Sequence, residues 1–343
     1  MGNPVLILNP GAEDLAKSHV RAHTRTINGK TVFVHDYEDK RTRAQPRASS
    51  ARSARAPVDV QLPDLDNALA EAELWWQALQ GTNETAGQTK NRIAWQLEQT
   101  LKGDADFLPV MLAWNEESNP RDTVTTGDYV SDLIHVWATS SADGYPWSIA
   151  MQIAAAEEFG IQQPNMGHFN EDAKTAANDI VAKCGKGLRK FLRAQYDEAQ
   201  KFLDYTSDAD DYVTLYRGMH FDTKEEAEAA CGELPWTYSA TECVPKTDIS
   251  AQPLSARTIL PACAAVFAAA TGQYAVFLQC RIPKSQVFST CQTGFGCRDE
   301  NEVVIMGSPS KVWITPIRGA DRMLIRAPRS STILRNMRGG VHY

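Results

Sequence analysis

The chain has 343 residues, 43% hydrophobic and 22% charged, with a formal net charge of −7. That is the balance of a globular chain able to bury a sizeable core, and at roughly 150 residues per domain it has room for two domains plus a tail. The acidic balance gives no general case for nucleic-acid binding beyond local basic patches. The longest apolar run, Pro261 to Thr271, is too short to span a bilayer.

The chain opens Met1-Gly2-Asn3-Pro4-Val5-Leu6, with no basic n-region and no long apolar h-region, so no Sec signal is expected; Leu6 also breaks the myristoylation pattern after Gly2. The seven cysteines show neither C-x-x-C nor a Cys/His metal spacing. They read as reduced thiols, which places the chain in the cytoplasm with no metal. From Val20 to Tyr37, Asn28-Gly29 stands between two β-rich runs, the strongest short hairpin signal. Lys40 to Pro57 follows, carrying Lys40, Arg41, Arg43, Arg47, Arg52 and Arg55 among Ala, Ser, Gln and Pro. It reads as a flexible linker, or as a basic arm for a phosphate backbone or an acidic partner.

From about Leu62 to Tyr205 the chain reads as mostly helical. Leu65, Leu69, Ala72, Trp76 and Leu79 recur at helical spacing, and so do the apolar residues of Asn91 to Leu101 and Tyr129 to Thr139. A further helix is predicted from Pro146 to Phe159, stopped by Gly160. A long one is predicted from Asp172 to Tyr205, broken or bent near Gly185 and Gly187. After Ser207-Asp208-Ala209-Asp210-Asp211 strands become frequent: Tyr212 to Tyr216, Ala275 to Ile282, Glu302 to Met306 and Val312 to Ile317, with a small-residue helix from Ala262 to Ala270. Helices followed by strands predict an α+β chain of separate units. The expected division is 1–57 (hairpin and basic linker), 58–205 (helical domain), 206–330 (strand-rich domain) and 331–343 (tail).

Three elements of the strand-rich part carry candidate chemistry. Thr214-Leu215-Tyr216-Arg217-Gly218 ends a strand in an arginine, whose planar fork suits a phosphate, and a glycine that permits close backbone approach. Pro253-Leu254-Ser255-Ala256-Arg257-Thr258 is an extended, hydroxyl-bearing segment leading into an alanine-rich helix. Asp299-Glu300-Asn301-Glu302 enters the apolar run Val303 to Met306. Glu300 and Glu302, two apart in an extended chain, share a face, an arrangement that calls for a cationic or polar partner. Taken singly, these also fit a surface arginine, a capped helix start and a solvated strand end.

Together the three motifs resemble the arginine–serine–glutamate class of mono-ADP-ribosyltransferases, through Tyr216-Arg217-Gly218, then Leu254-Ser255 with Ala264-x-x-Phe267, then Glu300-Asn301-Glu302, in that order. The resemblance covers roughly residues 206 to 320. The family's middle motif is usually Ser-x-Ser or Ser-x-Thr, placed about where Ala256-Arg257-Thr258 stands, so Ser255 is the candidate for that role and Thr258 a second hydroxyl that shares it. The resemblance implies two packed mixed or antiparallel sheets and NAD+ as substrate, without metal. It implies that Glu302 stabilises the oxocarbenium-like centre, that Glu300 positions or deprotonates the nucleophile, and that Ser255 orients Glu302. Arg217, Gly218, Ser255 and Thr258 would contact NAD+, and Phe295, between Gly294 and Gly296, would lie in a mobile target-recognition loop.

The implied acceptor is a macromolecule, a protein arginine before a nucleic acid. The other readings are an NAD+ glycohydrolase toxin with an antitoxin or immunity partner, and an interaction protein of a virion assembly. The N-terminal hairpin resembles segments of phage-encoded proteins.

Overall fold

The computed structural model describes the strand residues between 18 and 39, four positions between 74 and 79, and residues 84–117, 125–140, 145–206, 211–236, 243–247, 249, 251–269, 274–297 and 300–318. The basic linker and the arginine-bearing tail lie outside the described residues. The chain divides into two compact units, Met1–Val58 and Asp59–Tyr343.

In the first unit, β2 (His23–Ile27) pairs antiparallel with β3 (Lys30–Val34), and Ile27 faces Lys30 with two residues between them, as the Asn-Gly signal predicts. Strands β1 (Ser18–Val20) and β4 (Tyr37–Asp39) pair antiparallel in the same register.

The second unit begins with helices. In α1 (Ala86–Leu101), Thr85 and Gln88 close a capping box at the N-terminus, and Ile93, Leu97 and Leu101 recur every fourth residue to form its buried stripe. Next come α2 (Leu108–Glu117) and α3 (Thr126–Ser140), the latter burying Val130, Leu133 and Trp137. The expected boundaries of α4 hold: it spans Pro146–Phe159 with proline in its first turn and Gly160 as its left-handed cap. Trp75 and Leu79 are buried, while Trp76, expected in the same stripe, lies outside the described residues.

Helix α5 (Glu171–Thr206) runs unbroken for 36 residues, about 54 Å at helical rise. No break occurs at Gly185 and Gly187, where one was an expected alternative to a bend. A Cβ on Gly187 would lie 2.1 Å from the carbonyl oxygen of Asp106 and 2.6 Å from Val110, so this glycine lets α2 approach closely. α5 ties the unit together: Ile180, Leu188 and Phe191 belong to the core shared with α1–α4, and Leu203 belongs to the core beneath the sheet.

The sheet has seven strands, β5 (Tyr212–Phe221), β6 (Val244–Lys246), β7 (Leu254–Thr258), β8 (Tyr274–Pro283), β9 (Val287–Thr290), β10 (Glu302–Met306) and β11 (Val312–Arg318), in the order β6-β11-β8-β5-β7-β10-β9. Every neighbouring pair is antiparallel. Helix α6 (Lys224–Cys231) follows β5, and α7 (Pro261–Ala269) follows β7. Among the described residues the second unit is therefore α+β with one seven-stranded sheet, joined at its weakest seam by a single paired position, Tyr216 opposite Thr258.

The helical and strand-rich parts share a core, since Leu254, Phe288, Phe295 and Val304 of the sheet side pack with Trp137, Trp147 and Phe191. Buried Gln152 of α4 fastens the two parts: its amide donates to the Leu254 carbonyl at 2.9 Å and its oxygen accepts the Leu254 N–H at 2.7 Å. Among the described residues, no helix is long and apolar enough to cross a membrane. All seven cysteines are free thiols.

Candidate functional site

Glu302 is the first residue of β10 and pairs with Thr258, which in turn pairs with Tyr216. Directly opposed residues share a face of the sheet, so Tyr216, Thr258 and Glu302 form one row across three strands. The turn before β10 is fixed at several points. Asn301 takes φ 47°, a left-handed conformation that Asn tolerates better than most residues. The Thr258 hydroxyl donates to the Glu300 carbonyl at 2.7 Å and accepts the Leu260 N–H at 3.0 Å. The Glu302 N–H donates to the Cys297 carbonyl at 3.0 Å, and the Cys297 N–H returns a bond to Glu302 Oε2 at 2.5 Å.

Glu302 is only 9% exposed. Burial pushes its carboxyl above the usual range and the neighbouring Glu300 adds to the rise, while the Cys297 N–H and the Arg217 charge oppose it. The Cys263 thiol, also near Glu300, is pushed up to about 12, chiefly by burial.

Arg217 stands at the other lip of the seam. Strand alternation puts it on the opposite pleat from Tyr216 and Gly218. Leu215 and its cross-strand partner Cys280 belong to the core on that side, whereas Tyr216 packs with Ala264 and Phe277 on the other. Extending the register one step past Tyr216–Thr258 sets Arg217 opposite Arg257. Like charges facing each other across a strand pair are unfavourable, and no paired position between β5 and β7 is found there. The Arg217 guanidinium instead reaches across, its Nη1 donating to the Ala256 carbonyl at 3.2 Å. Burial first, and then the Arg257 charge, lower Arg217 to about 10, against the opposing pull of Glu302. Arg217 and Glu302 thus influence each other's charge from opposite pleats of the seam.

The expected site residues are therefore only partly assembled. Thr258 and Glu302 share a row, Glu300 sits in the turn that Thr258 braces, and Arg217 borders the seam. Ser255 is placed elsewhere. It opposes Ile305 rather than Glu302, and its buried Oγ has no hydrogen-bond partner, so it does not orient the carboxylate. The reason is the pleat: Ser255 lies three positions from Thr258, an odd step that puts it on the other face of the sheet.

Gly218 does permit a close approach, but the approaching body is α7. A Cβ at this position would meet the Ala264 carbonyl oxygen at 1.7 Å and the Ala268 nitrogen at 2.5 Å. Phe295, expected to face a target, is fully buried; its ring stacks on Trp137 at 5.0 Å and 10° and touches Phe191 and Phe288.

Two contributors were not foreseen. The Cys297 N–H leaves no trace in the sequence. Arg257, 4% exposed, signalled itself only as a charge within a buried strand. Among the described residues, no group of three or more His, Cys, Asp or Glu is placed to hold a metal ion. Comparisons of the chain with protein-family models, with curated proteins and with solved structures find no match.

Proposed function

We propose that the chain is a mono-ADP-ribosyltransferase that cleaves NAD+ and transfers ADP-ribose to a macromolecular acceptor, a protein arginine before a nucleic acid. One observation carries the reading: Glu302 is a buried carboxylate of raised pKa, oriented by a backbone N–H and within the electrostatic influence of an arginine at the seam where β5 and β7 pair at a single position. Carboxylates tuned by burial are characteristic of sites that handle developing charge. The single Tyr216–Thr258 pairing supports reading the sheet as two halves hinged there, with the dinucleotide entering where β5 and β7 part.

In the proposed reaction the bond between ribose C1′ and the nicotinamide nitrogen breaks, and its electron pair leaves with nicotinamide. Glu302, ionised, stabilises the cationic ribose, as carboxylates do in glycoside cleavage. The acceptor nitrogen forms the new bond to C1′ and gives its proton to Glu300. Arg217, on the opposite pleat, would reach the diphosphate across the seam where β5 and β7 part, and Thr258 keeps the turn carrying Glu300 in register with Glu302.

The test is incubation of the full chain with NAD+ labelled on its adenylate phosphate and a mixed lysate, followed by protease or nuclease. Protease-sensitive label that Glu302→Gln abolishes is the expected result, and nuclease-sensitive label reassigns the acceptor. Nicotinamide release without labelled macromolecule makes the chain a glycohydrolase. No release at all, or equal labelling by Glu302→Gln, overturns the reading in favour of an interaction protein.

A further inference from the structure

Arg257 is a charged side chain within a buried strand. It is 4% exposed, its Nε and Nη1 have no hydrogen-bond partner, and Arg217 is close enough to feel its charge. An unpaired buried charge is among the most costly features a fold can carry, and a buried donor without a partner calls for an explanation. Two residues along β7, on the same face, the Ser255 hydroxyl is also buried and unpartnered. Arg217, half-buried, continues this group across the seam, where β5 and β7 are no longer paired. Unsatisfied donors from two side chains, Arg257 and Ser255, therefore occupy one pleat beside the Arg217 guanidinium, at a seam where β5 and β7 pair at a single position, among apolar neighbours such as Val303, Leu215 and Leu278.

We propose that Arg257, Arg217 and Ser255 form a binding site for a phosphate-class oxyanion. The two guanidinium groups would supply forked, charge-assisted donors and Ser255 a hydroxyl. The anion would remove the repulsion between the arginines and satisfy the orphaned N–H groups. The site lies on the opposite pleat from Glu302. It shares Arg217 with the proposed NAD+ site and is otherwise independent of the carboxylate. Free phosphate and the diphosphate of a nucleotide offer the same chemistry.

The experiment is calorimetric titration of the full chain with inorganic phosphate, ADP-ribose and adenosine, at constant ionic strength. It is run on the parent, Arg257→Met, Ser255→Ala and Glu302→Gln. The parent should bind phosphate or ADP-ribose saturably, and Arg257→Met should bind about tenfold more weakly or worse, the loss expected for one charged hydrogen bond. Glu302→Gln, altered on the opposite pleat, should still bind inorganic phosphate saturably, which separates this site from NAD+ cleavage. Phosphate binding assigns the site to the free ion, and binding of ADP-ribose alone assigns it to a diphosphate. Arg257→Met should melt, in phosphate-free buffer, no lower than the parent, because an apolar side chain replaces an unpaired buried charge. The proposal is overturned if neither anion binds the parent, if Arg257→Met binds equally well, or if adenosine binds as tightly as ADP-ribose.

Discussion

Cys297 and Glu302 hold each other from both ends: the Cys297 N–H donates to the Glu302 carboxylate, and the Glu302 N–H donates to the Cys297 carbonyl. The carboxylate is thus fastened to the loop that precedes its own strand. Burial removes water from it, and one backbone donor replaces only part of that solvation.

The consequence is a pH dependence of defined sign. Burial raises the folded-state pKa of Glu302 above its ordinary 4.5, so the fold favours the protonated form. The favourable contribution is complete below the unfolded pKa and is lost as pH rises through the folded value. Glu302→Gln keeps an acceptor for the Cys297 N–H and cannot ionise. It should therefore melt higher than the parent at about pH 8, by a margin that closes towards about pH 4. Melting curves across that range check this, and a margin that widens towards acid contradicts it. If Glu302 acts ionised on NAD+, labelling by the parent should rise through the same window.

The two hydroxyls of β7 should behave in opposite ways. Thr258→Val strands the Leu260 N–H and removes the donor to Glu300, at a cost of about 1–3 kcal/mol, and it frees the turn that carries Glu300. Ser255→Ala deletes a hydroxyl without a partner and should be close to neutral in stability, within about 0.5 kcal/mol. Urea denaturation of both variants decides the matter. A larger loss for Ser255→Ala would mean that the hydroxyl braces the fold.

Much of the architecture was legible in the chain. Val303 to Met306 is an apolar, largely β-branched run and forms a buried strand beginning at the expected Glu302. Pro146 and Gly160 mark the ends of α4 where proline and glycine chemistry place them. What resisted reading was partnership at long range. Nothing near Gln152 announces that it closes two bonds on Leu254, and a glycine in a helix reads as a weak point until the neighbouring helix is seen against Gly187. The same limit misdirects the site. Motif order brought Arg217, Ser255 and Glu302 together, but motif order carries no pleat, and a shift of one residue moves a side chain through the sheet. Phe295 between two glycines has the local signature of a mobile loop, and only the aromatic cluster of Trp137, Phe191 and Phe288 makes it core.

Gly218 separates a packing role from a ligand-binding one. The atoms that a methyl group would meet there are backbone atoms of α7, the Ala264 carbonyl oxygen at 1.7 Å and the Ala268 nitrogen at 2.5 Å, which no side-chain rotation can relieve. Gly218→Ala must push α7 away from β5, costing about 2–3 kcal/mol or more. The displacement should also loosen the start of α7 at Leu260, whose N–H is held by Thr258, and so reach the Glu302 row indirectly. The expected result is a lower urea midpoint, together with faster amide exchange in α7 and at Leu260. A variant as stable as the parent, impaired only in NAD+ binding, would mean instead that the space before Gly218 belongs to a ligand.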